Sequence, residues 1–290
     1  DYSVQRGEPR SFINGMPRIG EQTGGKAALW DDENISTVIA AKSCEFIEQH
    51  KDRPFFLEVS THNIHVPRSP NPKFLGKSEC GVRGDTIMEF DWTVGQVLDA
   101  LDRLKLTDNT LVILTSDNGG ERFSDNWPLV GGKMDLTEGG IRVPWIAHWP
   151  AVIAPGGTST QHCMTMDWSA TMVELAGAKA HEDLPFDGVS MLPVLHDAEH
   201  QFERPLFWRM NHRGQRALRI GDYKYLRVDG HDYLFNIPAD ERERANLAKH
   251  QPEKLQSLRA AWESWNATVP AIAEDATVSL GYSVKDMPQR

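Results

Sequence analysis

The run Thr110-Leu111-Val112-Ile113-Leu114-Thr115 is almost wholly β-branched or aliphatic and stops at Ser116-Asp117-Asn118-Gly119-Gly120. A short apolar run of this kind, closed by turn residues, predicts a buried strand, and a strand buried on both faces needs helices to cover it. The preceding residues supply one: Ile87, Phe90, Val94, Val97, Leu98 and Leu101 recur at helical spacing along one face. Asp91 falls within that face and is expected to be a buried carboxylate with hydrogen-bond partners. Further upstream, Ile35, Val38, Ile39, Cys44, Phe46 and Ile47 predict a helix from Glu33 to about Gln49, with Asp32 as its N-cap. Phe55-Phe56-Leu57-Glu58-Val59 then predicts a strand. Val143 to Trp149 forms another apolar segment, and a short helix from Asp167 to Leu175 ends at Gly177. Helices alternating with strands point to an α/β fold with a mostly parallel sheet flanked by helices.

The pattern changes after about Gln201. Strand candidates at Pro205–Trp208, Ala217–Ile220, Tyr223–Val228 and Tyr233–Phe235 follow one another closely through Gly-Asp and Asp-Gly turns. They predict a small C-terminal antiparallel sheet, on which a helix from Glu253 to about Trp265 packs. The chain is thus expected to divide into an α/β domain over 1–200 and an α+β subdomain over 201–290. The first 30 residues, rich in Gly, Pro and polar side chains and without a period, read as an extended surface segment.

A formal net charge of −10 argues against nucleic acid or an anionic membrane as partner, because both need a basic surface. No run of about 18 apolar residues occurs, so no membrane span is expected. Cys44, Cys80 and Cys163 are too widely spaced for a Cys-x-x-Cys zinc or redox site.

Three segments carry chemistry. Asp117 and Asn118 would emerge at the carboxyl end of their strand, where α/β sheets gather ligands; a carboxylate beside a carboxamide offers two hard oxygens suited to Ca²⁺ or Mg²⁺. Lys133 stands in a loop flanked by Gly131-Gly132 and Gly139-Gly140, where an ammonium can act as a point charge on an oxyanion. His65, in Thr61-His62-Asn63-Ile64-His65-Val66-Pro67, follows the other predicted strand, where an imidazole can give a proton to a leaving oxygen. Taken singly, each has an ordinary reading: a turn, a surface lysine, a solvated histidine. Asp125-Asn126 repeats the Asp-Asn pair but follows no strand. Trp127, Arg122, Arg209 and His212 are of types that line substrate pockets, but no motif singles them out.

In combination the segments F-F-L-E-V-S-T-H-N-I-H-V-P, E-F-D-W-T-V-G-Q-V-L-D-A-L, T-L-V-I-L-T-S-D-N-G-G, G-K-M-D-L-T-E-G-G-I-R-V-P-W-I-A-H-W-P and R-I-G-D-Y-K-Y resemble the sulfatase family of the alkaline-phosphatase-like superfamily, in the family's order, from about Ile35 to about Ala248. The resemblance implies an alkaline-phosphatase-like α/β fold and metal-assisted hydrolysis of a sulfate monoester, either a small molecule or a carbohydrate. It implies that Asp117 and Asn118 bind one divalent cation, Ca²⁺ or Mg²⁺, that Lys133 contacts the sulfate, and that His65 contacts sulfate and is a candidate acid for the leaving alcohol. A periplasmic, secreted or lysosomal location is suggested by the resemblance alone.

The departures concern the nucleophile. Family members carry a Cys or Ser, converted to formylglycine, in a Cys/Ser-x-Pro/Ala-x-Arg motif; here Cys44 precedes Glu-Phe-Ile, Cys80 precedes Gly-Val-Arg and Cys163 precedes Met-Thr-Met. Asp31-Asp32 imitates the family's Asp-Asp metal pair but follows Ala-Ala-Leu-Trp and opens a helix, so it is assigned to capping. The resemblance therefore implies formylglycine upstream of this chain, an incomplete catalytic domain, and no turnover by these 290 residues alone. Two other readings stay open: a phosphodiesterase or phosphomutase relative, disfavoured because Asn118 supplies oxygen where two-metal enzymes tend to place histidine, and a non-catalytic sulfatase-like domain.

Overall fold

The computed structural model describes residues 31–65, 68–121 and 124–273, together with the backbone of two short strands, β1 (Phe12–Ile13) and β2 (Met16–Pro17), paired antiparallel. The expectation of an extended segment over the first 30 residues otherwise lies outside the described residues. By contacts the chain separates after Thr110 into two compact units, so β-strands on either side of residue 200 fall in the same unit.

In the first unit, a 3₁₀ turn at Asp32–Asn34 leads into α1 (Ile35–His50). The cap is Asp31 rather than Asp32: its carboxylate accepts from the Glu33 backbone N–H at 3.2 Å, satisfying a donor that the first turn leaves open. Helix α2 (Gly81–Arg103) packs against α1. The face that apolar periodicity predicts is only partly buried: Leu101 is buried and Phe90, Val94 and Val97 are half-buried. Ile87 and Leu98 are 45% and 39% exposed, Asp91 is exposed, and burial falls on Asp85, Glu89 and Thr93, spaced one turn apart. That polar stripe is tolerated because each member is hydrogen-bonded. Asp85 accepts from the backbone N–H groups of Gly76, Lys77 and Ser78, Glu89 accepts from Asn63 and Asn71, and Thr93 donates to the Glu89 carbonyl. Phe55–Val59 runs without strand pairing among the described residues: the apolar run is there, but a strand also requires a neighbour for its backbone groups.

In the second unit, β3 (Val112–Thr115) pairs antiparallel with β4 (Trp145–His148), Val112 opposite His148 and Thr115 opposite Trp145. Between them lies the glycine-rich loop and a single turn, α3 (Glu138–Ile141). Two more helices follow, α4 (Met166–Leu175) and α5 (Leu192–His196). The four strands β5 (Leu206–Met210), β6 (Gln215–Ile220), β7 (Tyr223–Val228) and β8 (His231–Asn236) then form an antiparallel meander in sequence order. Every ladder among the described residues is antiparallel; the parallel pairing expected of the main sheet is not among them.

The meander is covered on both faces, and its period-two alternation sorts the residues. Ala217, Leu226 and Phe235 turn to one side, where Leu136 from the glycine-rich loop and Ile237 complete a core. Leu218, Tyr225 and Leu234 turn to the other, against Leu258 and Trp262 of α6 (Pro252–Asn266). The indole N–H of Trp262 donates to the Trp208 carbonyl at 3.0 Å, so its polar atom is satisfied as its rings are buried.

Candidate active site

Asp117 and Asn118 leave the carboxyl end of β3 as the strand pattern predicts. Asp117 is exposed, Asn118 half-buried. The Ser116 hydroxyl donates to the Asn118 carbonyl at 3.0 Å, and the Asn118 amide nitrogen donates to the Gly119 carbonyl at 2.9 Å, leaving the amide oxygen as the end that can face a cation. Gly119 is where two backbones meet. Its N–H donates to the Gly140 carbonyl at 2.9 Å, and a Cβ there would stand 1.9 Å from the Gly139 oxygen. No side chain fits.

Lys133 is tied to the same backbone: its N–H donates to the Gly120 carbonyl at 2.9 Å. Asn126, from the Asp-Asn pair that the sequence leaves without a role, donates through its side-chain nitrogen to both Gly120 and Gly131 carbonyls at 3.0 Å. The stretch carrying the metal-type oxygens and the stretch carrying the lysine are therefore cross-linked through the Gly120 carbonyl.

Beyond Lys133 the backbone is strained, with Met134 at φ +81°, a conformation costing on the order of 1–3 kcal/mol for a residue with a side chain. Gln215, buried at the start of β6, holds it: its amide oxygen accepts from the Leu136 N–H and its nitrogen donates to the Met134 carbonyl, both at 2.8 Å. Next in the loop comes a buried charge cluster. Lys224, 0% exposed on β7, contacts Glu138 at 2.9 Å and Glu243 at 2.8 Å, with Arg219 3.5 Å from Glu138. Glu243 also accepts from the Glu138 backbone N–H at 2.6 Å. Burial raises the Glu138 carboxyl, but Lys224, Arg219 and Arg142 more than offset it and hold it below its ordinary value. Burial pushes Glu243 up, which its share of Lys224 does not fully reverse. None of these residues was singled out for a role by sequence reasoning, although Lys224 lies in the R-I-G-D-Y-K-Y segment and Glu138 in T-E-G-G.

His65 belongs to the first unit, whereas Asp117, Asn118 and Lys133 belong to the second. It is half-buried, and its backbone N–H closes a turn onto the His62 carbonyl at 3.1 Å. That turn is held through Asn63, whose side chain exchanges hydrogen bonds with Ser36 and donates to Glu89 at 3.2 Å. Burial raises the Glu89 carboxyl and lowers the His62 ring.

Cys163 and Cys44 sit in environments that disfavour a nucleophile. Burial and then the charge of Asp167 push Cys163 up to about 11, and the Cys44 thiol, raised by burial, donates to the Gln96 carbonyl at 3.4 Å. Neither favours a thiolate.

A family model described as Sulfatase matches residues 1–178. The chain belongs to the sulfatase family. A second model, N-sulphoglucosamine sulphohydrolase, C-terminal, matches residues 132–259, from the Lys133 loop through the meander. This sulfatase chain is 36% identical over 289 aligned positions to an N-acetylgalactosamine-6-O-sulfatase of Bacteroides thetaiotaomicron, covering 89% of this chain and 56% of that relative. A solved structure from work on the metabolism of multiple glycosaminoglycans by Bacteroides thetaiotaomicron superposes with a TM-score of 0.75 at 34% identity, covering 88% of this chain and 59% of the other. The crystal structure of Ps i-CgsB in complex with k-i-k-neocarrahexaose gives a TM-score of 0.73 at 26% identity, with 87% and 56% covered. The fold is thus the alkaline-phosphatase-like α/β fold of sulfatases, and the sulfatase chain spans little more than half the length of these relatives.

Two oxygens, from Asp117 and Asn118, suit a hard divalent cation but are fewer than the six to eight that Ca²⁺ takes. Among the described residues, no group of three or more His, Cys, Asp and Glu is placed to hold a metal. The pair fits as part of a coordination shell. No helix among the described residues is long and apolar enough to cross a membrane.

Proposed function

We propose that the protein containing this chain hydrolyses sulfate monoesters of carbohydrates, and that Asp117, Asn118, Lys133 and His65 serve that reaction. The observation that carries the reading is the tie through the Gly120 carbonyl, which sets Lys133 beside the strand end bearing Asp117 and Asn118. The N-acetylgalactosamine-6-O-sulfatase relative supports a sulfated sugar as substrate. Asp117 and Asn118 would hold one divalent cation, Ca²⁺ or Mg²⁺, which when bound would supply positive charge to make the sulfate ester more electrophilic. Lys133 adds a compact positive charge to the same group. As the sulfur–oxygen bond to the alcohol breaks, His65 gives its proton to the departing oxygen. These residues bind charge and move a proton; the nucleophile is not among them.

Full-length protein assayed on paired aryl sulfate and aryl phosphate esters, and on a panel of sulfated monosaccharides, should hydrolyse sulfate esters in preference. Faster hydrolysis of the phosphate would transfer the chain to the phosphoryl-transfer relatives. The proton role of His65 has its own signature. His65→Ala should slow sugar sulfates, whose alkoxides leave poorly, by roughly 100-fold or more, and activated aryl sulfates much less. Equal losses on both would leave His65 a sulfate-binding role only.

A further inference from the structure

We propose that Trp127 and Arg242 form a platform for the sugar ring that adjoins the sulfated residue, and that they select substrates carrying an anionic group on that ring. This deepens the sulfatase reading above and rests on it.

Trp127 is 69% exposed, the one tryptophan exposed among those described. An indole offers a large, flat, apolar face with a polar edge, the shape that can stack on the C–H face of a sugar ring. The ring does not stand on a loose loop. Its backbone N–H donates to the Asp125 carboxylate at 3.0 Å, and the Leu129 N–H closes onto the Asn126 carbonyl at 2.8 Å. Asn126 anchors the turn to Gly120 and Gly131. The Gly120 carbonyl thus receives both the residue preceding Trp127 and the backbone N–H of Lys133, so the indole is rooted on the same tie as the lysine proposed to hold sulfate.

Arg242 completes the arrangement. Its guanidinium carbon lies 4.0 Å from the centre of the Trp127 ring, a cation–π contact that holds the fork beside the indole. The next residue along the chain is Glu243, locked into the buried Lys224 cluster, so the backbone that presents Arg242 is anchored by charge as well as by packing. Pre-positioned aromatic and guanidinium groups bind with little loss of rotamer freedom. Together they offer an apolar plane for a sugar ring and a fork of N–H donors matched to a carboxylate or sulfate.

The test uses full-length protein and two substrates: the sulfated monosaccharide that the wild type hydrolyses best, and that sugar linked to a uronic acid. Trp127→Ala and Arg242→Ala should each lower kcat/KM for the disaccharide about tenfold more than for the monosaccharide, chiefly through KM, and Trp127→Phe should recover most of the loss. Removing the carboxylate from the neighbouring sugar should abolish the effect of Arg242→Ala but not that of Trp127→Ala. Equal changes on the two substrates, or none, would overturn the platform. Failure of the wild type on every sulfate ester would overturn the sulfatase reading itself and the platform with it.

Discussion

Asp117→Ala in the full-length protein should lower turnover of a sulfate ester roughly 100- to 1000-fold, the range seen when one preorganised charge-stabilising group is removed from a reaction centre. The substitution removes the single anionic group at the end of β3 and leaves the backbone alone. Gly119 remains bonded to Gly140, and the close approach of Gly119 to Gly139 does not involve the side chain at 117. Since Asp117 is exposed, its loss should hardly move the melting temperature, so lost activity can be assigned to lost charge rather than lost fold. Metal analysis should find one divalent cation per wild-type molecule and substantially less in the variant; Asp117→Asn, which keeps an oxygen but not the charge, should fall between. A loss below tenfold would remove Asp117 from the metal site, and two zinc ions per molecule would move the protein to the two-metal phosphoryl-transfer relatives.

Lys224→Met should destabilise the second unit severely, by about 3–5 kcal/mol, the usual consequence of taking one partner from a buried ionic group. Lys224 is fully buried between Glu138 and Glu243, and its loss leaves two carboxylates in the interior with one half-buried cation, Arg219, at 3.5 Å. The melting temperature should drop by roughly 10 °C. Lys42→Met, which breaks a pair whose side chains are 72% and 51% exposed, should have little effect, because water already solvates both charges. Replacing Glu138 and Glu243 by Gln together with Lys224→Met should recover part of the loss, since neutral amides cost less to bury. Acid titration adds a direction. Glu138 is held below its ordinary value, so its contribution is present above the unfolded carboxylate range and is lost as pH falls through its depressed value. Glu138→Gln should flatten the acid limb of the stability curve. Glu243 is raised, so its contribution has the opposite sense and fades as pH rises through its raised value. A Lys224→Met variant as stable as the wild type would show the cluster to be dispensable.

The cluster joins the G-K-M-D-L-T-E-G-G stretch of this chain to its R-I-G-D-Y-K-Y stretch. They are two ends of one contact: Glu138 lies five residues beyond Lys133, and it meets Lys224 across 86 positions of sequence. Gln215 makes a second such link, clamping Met134 and Leu136 from the start of β6. In physical terms the C-terminal meander is the support on which the lysine loop is stretched, which is why the loop tolerates the positive φ of Met134.

Sequence alone determined the helices α1, α2, α4 and α6, the strand β3, the C-terminal meander, the strand-end position of Asp117 and Asn118, and the family. Each of these is local: it depends on residues two to four positions apart or on a contiguous motif. The expected cap at Asp32 is displaced: Asp31 caps the 3₁₀ turn, and α1 itself starts after Asn34, which makes no side-chain cap bond. What only the tertiary structure decided is which surfaces meet. Helix α2 buries Asp85, Glu89 and Thr93 in place of Ile87 and Leu98 because fixed donors lie on that side, in the Gly76–Ser78 backbone, Asn63 and Asn71. Lys224, Gln215 and Arg242 carry no signature of their own, since a lysine, a glutamine or an arginine in a strand or turn is by composition a surface residue. The burial of Gln215 and Lys224 is set by partners 79 to 86 positions away in the hydrogen-bond network, and the placement of Arg242 by the Trp127 indole, which is also remote in sequence. Spacing along a chain cannot encode a pairing that forms only when distant segments close on one another, because the desolvation cost of a buried polar group is offset only by the partner the fold brings to it.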